Sequence, residues 1–205
     1  MPRTKNAPPQ RNRGRLRIIG GQWKRHTLYF KGGADLRPTP DAIREKLFNW
    51  LAPVIEGACC LDLFCGSGAL GFEAASRGAA QVVLVDNNRQ CYEEINKNRV
   101  RLGAQQIRVY CDDALEWLAS NNQAFDIVFL DPPYDSDLAR RSIARLRSHQ
   151  LAPGTMVYVE TERRLKLTYP KHWEELRSGQ AGQVSCRLFR ITLSDHPDRL
   201  ISRIS

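Results

Sequence analysis

From residue 58 onward, short apolar runs alternate with segments in which apolar residues recur at helical spacing. The apolar runs predict strands at 58–64, 81–86, 107–111, 125–130 and 155–160. The periodic segments predict helices at 69–77, 89–102, 114–121 and 138–149. Because strands and helices alternate over short connections, the pattern predicts an α/β fold with a mostly parallel sheet that helices cover on both faces.

Both ends of this α/β pattern carry segments that predict β-hairpins. At the C-terminal end, residues 173–177 and 183–193 predict an antiparallel pair that closes the sheet. Near the N-terminus, residues 16–19 and 22–30 predict two short strands that turn at Gly20-Gly21. After the hairpin, Thr39-Pro40-Asp41 predicts the start of a helix with Thr39 as its N-cap.

These patterns divide the chain into four parts. Residues 1–14 are rich in proline and arginine without periodicity, so we expect a disordered basic arm. Residues 15–35 form the predicted hairpin extension, 36–193 form the α/β domain, and 194–205 form a C-terminal tail. A length of 205 residues is consistent with one domain and a small extension.

The positive charge of the chain is concentrated at its N-terminus. The chain has 31 lysines and arginines against 22 acids, a net charge of +9, and residues 1–34 contain nine of the basic residues and no acid. A block of one sign is typical of an arm that binds a polyanion. Because the block has no sustained amphipathic stripe, the pattern favours nucleic acid over a membrane surface.

The six cysteines indicate neither a metal site nor a disulfide framework. None belongs to a C-x-x-C pair, and none lies near a histidine at zinc-ligand spacing. We therefore expect reduced thiols, most of them buried as small apolar groups, and no metal. No apolar run is long enough for a membrane span, and the basic N-terminus lacks the apolar core of a secretory signal, so we expect a cytoplasmic protein.

A glycine-rich loop follows the first predicted strand of the α/β domain. Gly66, Gly68 and Gly71 satisfy G-x-G-x-x-G, a weak signal that dinucleotide-binding enzymes share. Asp62, at the end of the strand, discriminates between cofactors. Its carboxylate would repel an anionic pyrophosphate but attract the cationic ammonium and sulfonium groups of S-adenosylmethionine (AdoMet). The loop therefore favours AdoMet over a nicotinamide dinucleotide.

Acidic residues also follow the next two predicted strands. Asp86 ends the second strand, where a carboxylate holds ribose hydroxyls in either cofactor class. Asp113 follows the third strand and is a candidate acceptor for the adenine amino group, whereas Asp112 is a candidate cap of the next helix. The full set of candidate AdoMet ligands is Asp62, Phe64, Gly66, Ser67, Gly68, Asp86, Asn87, Asp113 and Ala114.

The tetrapeptide Asp131-Pro132-Pro133-Tyr134 follows the fourth predicted strand and is the candidate catalytic motif. Its prolines lack N–H groups and leave carbonyls as acceptors. The Asp131 carboxylate and the Pro132 carbonyl can accept both hydrogens of an exocyclic amine and so orient its lone pair toward a methyl donor. Tyr134 offers a flat face for an extruded base. The motif therefore predicts methylation of a base amino nitrogen.

The tetrapeptide resembles the (Asn/Asp/Ser)-Pro-Pro-(Tyr/Phe) signature of Rossmann-like amino-methyltransferases. Together with the stretches 17–23, 36–51 and 64–71, it makes residues 15–193 resemble the bacterial RsmD family, which methylates guanine N2 in small-subunit (16S) ribosomal RNA. The resemblance implies the class I AdoMet-dependent methyltransferase fold with a seven-stranded sheet. It also implies AdoMet contacts by the glycine loop, Asp86 and Asp113, and base contacts by residues 131–134.

The resemblance makes ribosomal RNA, within an assembling small subunit, the expected partner. We assign RNA contacts to six basic residues near the N-terminus: Arg15, Arg17, Lys24, Arg25, Arg37 and Arg44. The protein itself is expected to be a monomer.

Three alternatives share part of this pattern. An adenine-N6 methyltransferase acting on DNA or RNA would use the same tetrapeptide, because the motif chemistry does not identify the base. A protein-glutamine methyltransferase shares the type of motif but leaves the basic arm unexplained. A non-catalytic RNA-binding assembly factor would have no use for the cofactor pattern.

Overall fold

The computed structural model describes residues 13–31, 39–134, 137–146 and 149–192. Arg37, residues 1–12 of the predicted arm and the predicted tail 194–205 lie outside these ranges. The elements are, in chain order, β1 (Arg13–Arg17), β2 (Thr27–Lys31), α1 (Asp41–Leu51), β3 (Cys59–Asp62), α2 (Ala69–Ser76), β4 (Gln81–Asp86), α3 (Arg89–Leu102), β5 (Ile107–Cys111), α4 (Ala114–Ser120), β6 (Phe125–Leu130), α5 (Leu138–Arg145), β7 (Leu151–Glu162), β8 (Trp173–Ala181) and β9 (Val184–Ile191).

Seven strands form one sheet in the order β5-β4-β3-β6-β7-β9-β8. The first five of these pair in parallel, and β9 pairs antiparallel with both β7 and β8. The central strands are buried on both faces, which explains their continuous apolar runs. One apolar core cluster includes residues of α1, α2 and α3, and a second cluster on the other face includes residues of α4 and α5. The predicted sheet and its closing hairpin are confirmed.

Several element boundaries differ from the sequence-based expectation; β3, for example, ends at Asp62 rather than at 64, and β8 extends to Ala181 rather than to 177. β7 extends to Leu151–Glu162 rather than 155–160, and α5 ends at Arg145 rather than at 149. Helix α1 begins at Asp41 with Pro40 at the N-cap, and Thr39 makes no side-chain cap. The prediction of Thr39 as the cap is therefore wrong, because its hydroxyl is used elsewhere, as described below.

The N-terminal hairpin forms, and Gly20-Gly21 lie within the connection that reverses the chain. β1 and β2 pair with Arg15 opposite Tyr29 and Arg17 opposite Thr27, and residues 18–26 connect them. In this connection the Lys24 amide donates to the Gly21 carbonyl at 3.1 Å, and Gly21 also approaches α2 so closely that a Cβ there would lie 1.8 Å from the Ser76 carbonyl oxygen. Arg13 and Gly14 belong to β1, so the predicted disordered arm extends too far by these two residues.

Contacts with α2 attach the hairpin to the α/β domain. The buried Glu73 carboxylate accepts hydrogen bonds from the amides of Ile19 and Gly20, each at 2.8 Å. The Ser76 hydroxyl donates to the Gly20 carbonyl at 2.6 Å and accepts from the Trp23 amide at 2.9 Å. Because these groups are buried or half-buried, the hairpin is fixed in place rather than loosely attached.

Arg44 lies in this same anchor, which contradicts its assignment to RNA. Its side chain is 0% exposed, and its guanidinium donates to the Arg17 carbonyl and to Asp41. It also lies 3.9 Å from the Glu73 carboxylate. A guanidinium that is enclosed and paired in this way stabilises the hairpin and cannot contact a phosphate.

The six cysteines are free thiols. Four are buried, Cys59 is half-buried and Cys111 is exposed, so the expectation of buried thiols holds for most but not for Cys111. None of the helices in the described ranges is long and apolar enough to cross a membrane.

Candidate active site

The carboxyl ends of the parallel strands gather the candidate residues at one edge of the sheet. Asp62 ends β3 and Asp86 ends β4, whereas Asp131 directly follows β6. Pairing of Asp62 with Leu84 on one side and with Phe129 on the other places these three ends side by side. Ligands of open α/β sheets bind outside this edge.

Two of these acids accept hydrogen bonds from backbone amides of the glycine motif, which spans the loop between β3 and α2 and the first turn of α2. Gly66 and Gly68 adopt left-handed conformations, with φ of 49° and 78°, that side chains disfavour. The Gly66 amide donates to Asp86 Oδ2 at 2.7 Å, and the Gly71 amide donates to Asp62 Oδ2 at 3.0 Å. A Cβ at Gly71 would lie 2.1 Å from a Leu84 methyl carbon, so the third glycine serves close packing of α2 on β4.

The acids of the loop lie in a strongly desolvated environment. Burial, together with repulsion from Asp131, raises the pKa of Asp62 to about 8. Burial also raises the pKa of Asp86, although the amides of Asn88 and Gly66 partly offset the shift. Repulsion among these carboxylates means that a cation at this edge would stabilise their ionised forms.

The other predicted cofactor residues line the same edge. Phe64 is half-buried, Ser67 is buried, and Asn87 is exposed beyond the end of β4. Asp113 Oδ1 accepts from the amides of Leu115 and Glu116, so Asp113 rather than Asp112 is the N-cap of α4. Ala114 begins that helix and is buried.

The catalytic tetrapeptide leaves β6 beside the loop. Asp131 is half-buried, Pro132 is buried, and Pro133 and Tyr134 are exposed. Asp131 Oδ2 accepts a hydrogen bond from the Thr39 hydroxyl at 3.2 Å. Burial raises the pKa of Asp131, and the Thr39 bond opposes that shift because it favours the carboxylate.

Glu160 lies behind the tetrapeptide and was not predicted. It is 2% exposed and follows Val159, which pairs with Leu130 directly before Asp131. Its Oε2 accepts from the Tyr158 hydroxyl at 2.6 Å, and the Tyr134 hydroxyl is close enough to the same carboxylate to lower its pKa. Burial and the charge of Asp131 raise the pKa of Glu160. Glu160 ends the predicted apolar strand 155–160, as Asp62 and Asp86 end or lie near the ends of theirs, and this pattern could have identified it from the sequence.

The four predicted RNA-binding residues that belong to the hairpin are exposed. Arg15, Arg17, Lys24 and Arg25 all face solvent, and the Arg15 guanidinium lies 5.9 Å from the centre of the Tyr29 ring. Within the described ranges, no cluster of three or more histidines, cysteines, aspartates or glutamates could hold a metal ion.

This sheet order, with a glycine loop after β3 and an Asp-Pro-Pro-Tyr motif after β6, defines the Rossmann-like class I methyltransferase fold. An RNA methyltransferase from Salinibacter ruber, solved with S-adenosyl-L-homocysteine, has this fold with a TM-score of 0.59 at 20% identity, and the match covers 80% of this chain and 99% of that one. A putative methyltransferase from Escherichia coli, yhhF, superposes with a TM-score of 0.80 at 43% identity, covering 87% and 99% of the two chains.

The chain belongs to the RsmD family. The family model described as "Conserved hypothetical protein 95" matches residues 16–190. The ribosomal RNA small subunit methyltransferase D of Escherichia coli is 43% identical over 185 residues, which are 89% of this chain and 93% of that protein. The protein of the same name from Haemophilus influenzae is 39% identical over 87% of this chain and 95% of its own length. The fold class and the family predicted from the sequence are therefore confirmed.

Proposed function

We propose that this protein transfers a methyl group from AdoMet to the exocyclic N2 amine of a guanine in small-subunit ribosomal RNA. The observation that carries the proposal is the position of residues 131–134 beside the glycine loop at one edge of the sheet. The names of relatives with 43% and 39% identity support small-subunit ribosomal RNA as the substrate, and the resemblance to the RsmD family implies guanine N2 as the acceptor. The finer parts of the proposal are a monomer that acts in the cytoplasm on an assembling small subunit.

The chemistry of the edge fits a cationic cofactor such as AdoMet. Asp62 and Asp86 present carboxylates whose pKa values burial raises, so that a bound cation would stabilise their ionised forms. The Gly66–Gly68 turn brings backbone close to the edge, where a side chain would be strained. Asp62 and the glycine loop would face the charged end of the cofactor, Asp86 its ribose, and Asp113 its adenine.

When bound, AdoMet supplies an electrophilic methyl group on a sulfonium. The chain contributes acceptors, and the Asp131 carboxylate and the Pro132 carbonyl receive the two amine hydrogens of the target base. The Thr39 bond favours the ionised form of Asp131 and fixes the orientation of its carboxylate. Tyr134, which is 45% exposed, stacks on the base, and Glu160 holds its hydroxyl from behind. Fixed acceptors of this kind favour the geometry of in-line attack.

The test uses small ribosomal subunits, and separately naked 16S RNA, from a bacterial strain that lacks its own enzyme of this family. The protein is incubated with AdoMet that carries a labelled methyl group, and the modified nucleoside is identified by mass spectrometry. We expect one N2-methylguanosine per RNA. Label in N6-methyladenosine would replace guanine with adenine as the target. Absence of label from both substrates, with AdoMet binding intact, would contradict the proposal.

A further inference from the structure

A cavity adjoins the tetrapeptide on the β7 side of β6, whereas β3 and the glycine loop lie on the other side of that strand. Its volume is about 420 Å³, and Pro132, Pro133 and Tyr134 form one of its walls. The start of α5 forms a second wall through Asp137, Ala139 and Arg140. The third wall is the end of β7 and the turn after it. This volume lies within the range of pockets that bind small organic ligands.

The cavity combines stacking surfaces with two cations, Arg140 and Arg164, and two acids, Asp137 and Glu162. Tyr134 and Leu165 are 45% and 40% exposed there, although large apolar side chains are usually buried in this protein. Arg140 lies 2.6 Å from Asp137 in an ion pair whose partners are both more than half exposed. Arg164 is exposed and has no ion pair among the described residues. A base with an attached phosphate matches this set of groups.

The backbone fixes both arginines relative to the tetrapeptide. The Leu165 amide donates to the Glu162 carbonyl at 3.0 Å, which forms a turn that carries Arg164 and Leu165 at the rim. On the opposite side, the Arg141 amide donates to the Asp137 carbonyl at 3.0 Å in the first turn of α5. Neither arginine therefore depends on a long flexible loop for its position.

We propose that this cavity is a subsite for the sugar-phosphate of the single-stranded RNA next to the target base, with Arg140 and Arg164 as phosphate contacts. The inference rests on the proposed function, because it takes the amine of the target base to lie at Asp131. The base stacked on Tyr134 extends into the cavity, and the adjoining strand passes between the two arginines. Asp137 orients Arg140 and does not itself face a phosphate.

The neighbouring arginines provide matched controls. Arg141 and Arg163 are exposed and directly adjacent in sequence to Arg140 and Arg164, but they do not line the cavity. The double variant R140A/R164A and the control R141A/R163A therefore remove the same charge from the same two elements. Any effect of net charge on long-range attraction is equal in the two proteins.

Both variants are assayed with 16S RNA for methyl transfer and, without AdoMet, for RNA binding at several salt concentrations. We expect R140A/R164A to raise the KM for RNA at least tenfold, the loss expected for charge-assisted contacts. Its log–log salt slope should fall by about 1.4, which is roughly 0.7 for each of two single-strand phosphate contacts. The control should change KM less than about twofold, and AdoMet affinity should stay at the wild-type value in both.

Equal effects of the two double variants on KM and salt slope would overturn the subsite. The binding measurement separates this failure from failure of the proposed function, because it does not depend on methyl transfer. A wild-type protein that binds RNA through Arg140 and Arg164 but transfers no methyl group would overturn the proposed function and leave the subsite standing.

Discussion

The Thr39 hydroxyl donates a hydrogen bond to Asp131 Oδ2 at 3.2 Å across 92 positions of the sequence. Thr39 directly precedes Pro40 and α1, and Asp131 begins the catalytic tetrapeptide, so this bond ties the segment before α1 to the end of β6. The bond favours the ionised form of Asp131, because hydrogen bonding to a carboxylate lowers its pKa.

Replacing Thr39 by valine should therefore make catalysis more sensitive to acid. Without the hydroxyl, the already raised pKa of Asp131 rises further, so a smaller fraction is ionised at slightly acidic pH. We expect the acid limb of the kcat profile to move up by roughly one pH unit, the equivalent of one charged hydrogen bond in a half-buried site. T39S, which keeps the hydroxyl, is the control. An unchanged profile in T39V would show that the bond does not influence Asp131.

Replacing Asp131 by alanine should separate chemistry from cofactor binding. The variant loses an acceptor for the target amine, so methyl transfer should fall by roughly a hundredfold or more, as for other preorganised polar contacts. AdoMet affinity, measured by calorimetry, should remain close to that of the wild type because the glycine loop is intact. Normal turnover by a folded D131A protein would show that the carboxylate does not hold the amine.

Asp86 has two roles at the cofactor edge, and we expect its loss to weaken AdoMet binding. One oxygen accepts from the Gly66 amide and the other accepts from the Asn88 amide, so the side chain shapes the loop as well as facing the ribose. D86A should weaken AdoMet at least tenfold, as expected for one or two lost charge-assisted bonds. The control is D112A, an exposed acid after the next strand. Equal AdoMet affinity in the wild type and a folded D86A would remove Asp86 from the site.

We expect the effects of substituting Glu160 and Tyr134 on catalysis to be coupled. The Glu160 carboxylate and the Tyr134 hydroxyl influence each other's pKa, so Y134F and E160Q each disturb the same interaction. We expect both to lower kcat and the double variant to lose less than the sum of the two, with a coupling energy of about 0.5–3 kcal/mol. Strict additivity would mean that Glu160 does not act through this tyrosine. Y158F tests the other bond of the same carboxylate.

The exposed residues of the hairpin should govern the salt dependence of RNA binding. Because Leu28 and Trp23 are buried against the domain, deleting the hairpin would expose the core, so alanine substitutions are the better test. If Arg15, Arg17, Lys24 and Arg25 each contact a phosphate, the quadruple variant should lower the log–log salt slope by about three.

A second quadruple variant controls for net charge in this experiment. It replaces four exposed basic residues in and around β7 and β8, namely Arg163, Lys166, Lys171 and Arg177. Identical slopes for the two quadruple variants would exclude the hairpin as an RNA-docking element.

The sheet and the position of the site at its edge could be predicted because both follow from the local pattern of apolar residues. Strands covered on both faces have apolar runs, and the carboxyl ends of parallel strands meet at one edge, so Asp62, Asp86 and Asp131 could be placed together from sequence. Two errors arose where a residue's partner is distant in the sequence. Arg44 looked like a surface cation because Glu73 is remote in sequence, and Thr39 looked like a cap because its bond to Asp131 is invisible there.

The glycine pair of the hairpin was predicted as part of a turn, but its contact with α2 was not. Glycine indicates either a tight turn or a close approach of backbone, and the sequence does not distinguish them. Gly21 has a φ of 74°, accepts the hydrogen bond of the Lys24 amide and lies against the Ser76 carbonyl, so it serves both uses.

The attachment of the hairpin to α2 fixes the distance between the hairpin and the glycine loop. This helix begins at the glycine loop and, through Glu73 and Ser76, holds the hairpin near its other end. Its eight residues span about 12 Å, and a short helix of this kind does not stretch. RNA bound to the hairpin would thus lie at a constant offset from the methyl donor. The length of α2 would set the distance between the RNA bound at the hairpin and the methyl donor. Which nucleotide is modified would then depend on the shape of the RNA between the hairpin and the active site.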